Sequence, residues 1–200
     1  MTFSATQLKS NLAQGGARPS LFHVELQYPS AVKNKPKKLS KFFIKGTSIP
    51  ASTIGAYDVF FHGKAIKVAG DRTFDTWETT IINDEDFGIR VALEQWMDLI
   101  ADHRLNISRK GMRESLKESE NADYKQDIKV TQYGKDGSEI HHYHFLGAFP
   151  TALSTIALDW GTQEIEEYTC TWTYDHWLPG GLVPSPRSNS PHLFPNDQHR

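Results

Sequence analysis

The stretch from Val68 to Met97, VAGDRTFDTWETTIINDEDFGIRVALEQWM, constrains the chain more than any other. It reads as turn, strand, cap and helix. Gly70 suits a tight turn, because glycine has no Cβ to restrict its φ. Thr73 to Ile82 is β-branched and aromatic, which predicts a pleated strand. Alternation places Asp75, Trp77, Thr79 and Ile81 on one face, and Phe74, Thr76, Glu78, Thr80 and Ile82 on the other. Asn83 then has the chemistry of an N-cap, and Asp84, Glu85 and Asp86 complement the positive end of a helix dipole. Ile89, Leu93, Trp96, Met97 and Ile100 recur at helical spacing, so a helix is expected over about 84–101.

The flanking segments are β-like. Phe22, Val24, Leu26 and Tyr28 alternate with His23, Glu25 and Gln27, the pattern of a half-buried strand. Pro29–Ser40 carries Lys33, Lys35, Lys37 and Lys38 around Pro36 and reads as a charged loop. A second strand is expected to begin over Phe42–Ile44. Tyr57–Phe61 and Ala65–Val68 flank His62-Gly63-Lys64, a hairpin signal. Asp127–Tyr133 and Glu139–Leu146 form another pair, joined across Gly134–Gly137. Thr155–Trp160 reads as a short strand, and Ile165–Trp177 as a long one. In the long strand Tyr168, Cys170, Trp172 and Tyr174 share one face, and Glu167, Thr169, Thr171, Thr173 and Asp175 share the other. Such a strand needs water, or a wide aqueous bore, on its polar side. Residues 105–124 alternate charges and are open to either an exposed helix or a loop. Seven or eight strands, one helix and no βαβ rhythm predict a mainly β protein, an antiparallel β-sandwich or barrel with one α-helix. Residues 1–178 are expected to form the domain, with 1–16 as an N-terminal arm and 179–200 as a Pro/Ser-rich extension.

Net charge is only −2, but it is unevenly placed. Residues 1–50 hold eight Lys or Arg against Glu25, while 71–100 hold eight acids against Arg72 and Arg90. Opposed surfaces of this kind suit a subunit that meets further copies of itself, or they are two ordinary solvated faces. The single cysteine, Cys170, rules out an intramolecular disulfide and a Cys-based metal cluster. No apolar run approaches the ~20 residues of a membrane span, and no leader pattern opens the chain, so a chain folding in a reducing cytoplasm without a membrane anchor is expected.

Catalytic signatures are missing. There is no Gly-x-Ser-x-Gly, phosphate-cradling glycine loop or His-Glu-x-x-His. His142 and His144 share a strand face, but no third ligand is evident, and surface histidines are the favoured reading. Asp71 and Arg72 read as a charge-assisted pair or turn lock. Cys170 lies on an apolar face, as an inert core thiol would. The five tryptophans fall in core-like patterns, so packing is favoured over base stacking. No enzyme and no cofactor is expected.

Several of these residues together carry a resemblance. Gly70-Asp71-Arg72-Thr73-Phe74, then Trp77, then Asn83-Asp84-Glu85, then a helix with Trp96, resembles the signature of the tail tube proteins of contractile-tailed bacteriophages. Ala17–Phe22, Phe149-Pro150-Thr151, Leu158-Asp159-Trp160 and Glu164–Trp177 agree in the same order. The segments Lys33–Lys45 and Arg109–Asn121, and the tail after Trp177, depart from it. The resemblance implies a structural virion protein whose sheets join between subunits. Hexameric rings would stack into a tube within a sheath, between baseplate and terminator proteins, and phage DNA would pass through without specific binding. DNA adheres to Lys and Arg through counterion release, so a conduit wall should be acid and hydroxyl in character. Thr76, Glu78, Thr80, Glu167, Thr169, Thr171, Thr173 and Asp175 are the candidate lumen face. Lys33, Lys35, Lys37 and Lys38 are candidates for contact between subunits. A tube initiator or baseplate homologue, or a tube subunit of a DNA-free contractile particle, stays open, as does a DNA-binding β-barrel module.

Overall fold

The computed structural model describes residues 16–36, 40–104 and 124–180. The elements run β1 (Phe22–Leu26), a 3-10 turn (Ser40–Phe42), β2 (Ile44–Thr47), β3 (Ser52–Phe61), β4 (Lys64–Phe74), β5 (Trp77–Ile82), α1 (Gly88–Ile100), β6 (Gln126–Tyr133), β7 (Glu139–Leu153), β8 (Glu167–Thr173) and β9 (His176–Pro179). The main sheet has the order β1-β6-β7-β8-β5-β2, with β9 also on β7, and β3 and β4 form a separate two-stranded ribbon. All of these pairings are antiparallel. The protein is mainly β with one helix among the described residues, as the sequence predicts.

The 15-residue strand β7 belongs to both halves of the main sheet. Its first part pairs with β6 and β9, and Phe149–Leu153 pairs with β8. The crossing lies at Gly147, where φ is +65° and a Cβ would strike the carboxylate of Asp175. Only glycine meets both conditions without strain. Bent this way, the halves cover one another. Trp77 of β5 stacks on Phe145 of β7 with centroids 4.3 Å apart, and Trp96 of α1 meets Trp172 of β8 edge-on at 5.7 Å. The indole N–H groups of these three tryptophans are satisfied as burial demands. Trp77 donates to Ser48 O (2.7 Å), Trp96 to Tyr124 O (2.7 Å) and Trp172 to Thr79 Oγ1 (2.9 Å).

Five local expectations are corrected. Gly70 is no turn but lies within β4, where Gly70 and Asp71 form a bulge opposite the single residue Gly55. Its added Cβ would sit 3.2 Å from Gly55 O and 3.3 Å from the Tyr57 ring, so it serves close backbone approach. The segment 73–82 is not one strand; it divides after Phe74, and β4 leaves for the ribbon while β5 enters the sheet. Helix α1 begins at Gly88 after Phe87, which has φ 50°, and Asp84 Oδ1 accepts from Gly88 N at 3.2 Å. Asn83 instead ties its backbone and side chain to Glu166 (2.8 and 2.9 Å). Thr155–Trp160 is a loop, and Trp160 is fully exposed at 106% rather than packed. The long strand predicted over Ile165–Trp177 breaks at Tyr174-Asp175, where the chain turns a corner into β9.

Burial pushes the phenols of Tyr28 and Tyr168 and the thiol of Cys170 up, and Tyr174 is raised to about 12 by burial and by Asp75. An unfolded chain ionises these groups from about pH 9 (thiol) and 10 (phenol), while the folded chain keeps them neutral. Their contribution is therefore complete below those values and is lost as pH rises above them. The urea midpoint is expected to fall between about pH 8 and about pH 11; a flat profile would contradict the burial of these groups.

Candidate functional site

Two surfaces stand out. The first is the outward face of the half-sheet β7-β8-β5-β2. Alternation on β5 and β8 buries Trp77, Thr79, Ile81, Tyr168, Cys170 and Trp172 and turns their neighbours outward. The register then sets Glu78 opposite Thr171, Thr80 opposite Thr169 and Ile82 opposite Glu167, with Thr173 opposite Phe149 on β7. Glu78, Thr80, Glu167, Thr169, Thr171 and Thr173 thus form one contiguous hydroxyl-and-carboxylate patch assembled from two distant segments. Lys45 from β2 joins its rim, and its ammonium meets Glu167 Oε1 at 2.5 Å. Sequence reading did not single it out; its position one residue after buried Ile44 was the available signal.

Thr76 and Asp175 do not belong to that patch. Thr76 lies in the connection between β4 and β5. Asp175 sits at the corner after β8, ion-paired with Lys125 at 2.7 Å. The strand ends before reaching it, so alternation no longer places it.

The second surface is the β3–β4 ribbon. The hairpin turn predicted over His62-Gly63-Lys64 is made by His62 (φ 47°) and Gly63 (φ 81°), the left-handed pair typical of type I′, and Lys64 already begins β4. Register puts Tyr57 against Val68 and Val59 against Ile66 on one face, continued by Phe61, and Phe60 against Ala65 on the other. Lys67 and Asp58 make an ion pair at 2.8 Å across the ribbon. Nearly every residue is exposed, including Phe60 at 72% and Phe61 at 65%. An apolar face of this extent on a ribbon outside the core marks a surface awaiting a partner.

The other candidates are placed as follows. Lys33 and Lys35 are exposed beside α1, where Asn34 N donates to Gln95 Oε1 at 3.1 Å; Lys37 and Lys38 lie outside the described residues. Arg72 bonds Ser52 Oγ at 2.9 Å rather than Asp71, because adjacent strand residues point to opposite faces. Phe74 meets Tyr174 and Trp177 edge-on and roots the ribbon. Pro150 is fully buried opposite Trp172, and Asp159 Oδ1 accepts from Gly161 N at 2.9 Å. His142 contacts Glu139, and burial, then His142 and Lys129, lowers the pKa of His144. Among the described residues no group of three or more His, Cys, Asp or Glu is placed to hold a metal ion, and no helix is long and apolar enough to cross a membrane.

Residues 17–179 match the family model described as phage tail tube protein. The chain belongs to that family. It is 31% identical over 163 residues to the tail tube protein gp19 of Enterobacteria phage T4, spanning 80% of this chain and 90% of that protein, and equally to gp19 of phage T6. Among solved structures, the anti-feeding prophage tube-terminating cap superposes with a TM-score of 0.58 at 14% identity, covering 82% of this chain and 90% of the other. A sheath–tube complex chain of an extracellular contractile injection system gives 0.52 at 14% identity, covering 89% and 98%. These structural likenesses show the shared fold. The chain is therefore a tail tube subunit, a structural component of a contractile phage tail, as the resemblance implied. The signature residues now have physical roles: Gly70 for close approach, Phe74 at the ribbon root, Trp77 and Trp96 in the core, and Asn83 and Asp84 at the loop junction before α1.

Proposed function

We propose that copies of this chain close into hexameric rings, that the rings stack into a tube, and that the polar patch on β5 and β8 lines its bore. The single observation that carries the reading is the sidedness of the β7-β8-β5-β2 half-sheet, with an aromatic core on one face and Glu78, Thr80, Glu167, Thr169, Thr171 and Thr173 on the other. DNA moving past such a wall meets hydroxyls and like charge, and Lys45 is already neutralised by Glu167. β2 is an edge of the main sheet, and its free backbone groups suit continuation into a neighbouring copy. The β3–β4 ribbon supplies the apolar surface for that neighbour. Lys33, Lys35, Lys37 and Lys38 lie between subunits or on the outside. Thr76 and Asp175 border the bore.

Residues 1–178 serve as the tube domain with 1–16 as an arm, and 179–200 as an extension. Sheath, baseplate and terminator proteins are the partners, assembly occurs in the host cytoplasm, and the chain has no catalytic role. The similar structures belong to a tube-terminating cap and a sheath–tube complex, which supports this partner set. The 31% identity to a tail tube protein favours the tube itself over a baseplate homologue.

Negative-stain imaging of the purified full chain is expected to show six-fold rings and hollow rods. Wild-type rods should not retain short duplex DNA. The pair Thr80→Arg and Thr171→Arg should make them retain it, with a log–log salt slope steeper by about 0.9 for each phosphate neutralised. Wild-type rods that bind DNA as strongly as the arginine variant would refute a non-adhesive bore.

A further inference from the structure

The loop between β8 and the end of β7 is unusually apolar for a surface loop. Leu158 is 82% exposed, Trp160 106% and Ile165 71%. It is also held in shape. At one end Ser154 N donates to Thr169 O (2.8 Å) and Arg90 Nη1 to Ser154 O (3.0 Å). At the other, Asn83 holds Glu166, and at the tip Asp159 accepts from Gly161 N (2.9 Å) and Thr162 N (3.3 Å). A fully exposed tryptophan on a fixed loop loses little freedom on docking, which is the economy of a binding hot spot.

At the far end of β7 there is a surface of matching character. The turn before β1 and the β6–β7 turn enclose a cleft of about 450 Å³, with Leu21 and half-exposed Ile140 as its apolar lining and Arg18 and Lys135 at its margin. Its walls are fixed by Leu21 N to Arg18 O (3.4 Å), Tyr133 N to Leu21 O (2.9 Å) and Gly134 N to Ser138 O (2.8 Å). The acid there, Asp136, is occupied by Ser138 N and Oγ (3.1 and 2.7 Å). The volume lies within the roughly 300–1,000 Å³ of clefts that take drug-sized ligands, so an indole has room. The loop, residues 154–166, carries Asp159, Glu164 and Glu166 and no base, and the cleft carries two bases.

The loop and the cleft sit at opposite ends of a strand of 15 residues, a path of roughly 50 Å at ~3.3 Å per residue. One subunit cannot bring them together. We propose that the Leu158–Trp160 loop of one copy docks into the Arg18–Ile140 cleft of a second copy, with Trp160 over Leu21 and Ile140 and Glu164 facing Lys135. The inference rests on the tube reading above and names one of its contacts. The joint is heterologous, so a joined pair keeps one free loop and one free cleft and the series continues.

The test uses the full chain and counts rods by sedimentation and negative stain. Trp160→Ala is expected to raise the protein concentration needed for rods at least about tenfold. Its circular dichroism should be unchanged, because the side chain touches little of its own subunit. Glu164→Lys and Lys135→Glu should each weaken assembly, and the double reversal should restore it. Under mild oxidation Trp160→Cys mixed with Ile140→Cys should give a disulfide-linked dimer that neither variant gives alone, Cys170 being buried. In wild-type rods Trp160 should be shielded from acrylamide quenching; if it stays accessible, the loop meets some other kind of partner and the self-contact is wrong. Normal rods from Trp160→Ala with no mixed disulfide would also overturn the contact while leaving the tube intact. A wild-type chain that stays monomeric at every concentration would overturn the tube reading, and this contact with it.

Discussion

Trp77→Ala is expected to cost the isolated subunit about 3–5 kcal/mol, the usual range for deleting a buried large aromatic. Trp77 is fully buried, stacks on Phe145 at 4.3 Å, and lies 6.0 Å from Trp172. It is one of the residues through which the two halves of the bent sheet touch. The truncation leaves a cavity at their shared face and orphans Ser48 O, which accepts its N–H at 2.7 Å. Domains of this size are stable by about 5–15 kcal/mol, so the variant should stand near the folding threshold. Urea unfolding followed by circular dichroism measures the loss. A loss under about 1 kcal/mol would mean that the halves are held together elsewhere.

The second large effect concerns assembly and leaves the subunit alone. Replacing Val59, Phe61 and Ile66 by serine removes the apolar face of the β3–β4 ribbon. All three are exposed in the single subunit, so its unfolding midpoint should barely move. Assembly should fail: burying each such side chain is worth roughly 1.5–3 kcal/mol, and three together exceed a hundredfold in association. Rods absent at a hundred times the wild-type requirement, with a monomer of normal stability, is the expected result. Rods at wild-type concentration would show that the ribbon takes no part in self-association.

The two variants separate what was legible in the sequence from what was not. Alternation and aromatic content marked β1, β6, the first part of β7, β8 and the hairpin turn, because each is governed by neighbours within a few residues. The inward and outward faces of β5 and β8 followed from period two alone, so the polar patch could be read before its register was known. Breaks within extended segments were not legible. Nothing in a β-branched run distinguishes a strand that continues from one that changes sheets, and the divisions after Phe74 and at Tyr174-Asp175 depend on which partner strand lies alongside. Asn83 has the right chemistry for a cap, but its tie to Glu166 is a contact across 83 positions. Trp160 misled for the opposite reason. Its composition suggested a core residue, and only the fold shows that no part of the described subunit covers it.

The kink at Gly147 also has a mechanical meaning. Because one unbroken polypeptide rib crosses from one half of the sheet to the other, a load that the ladders deliver to β7 passes between the halves along covalent bonds. Compression on a wall of such subunits would be borne by these ribs, and compliance would be left to the ribbon that stands outside them.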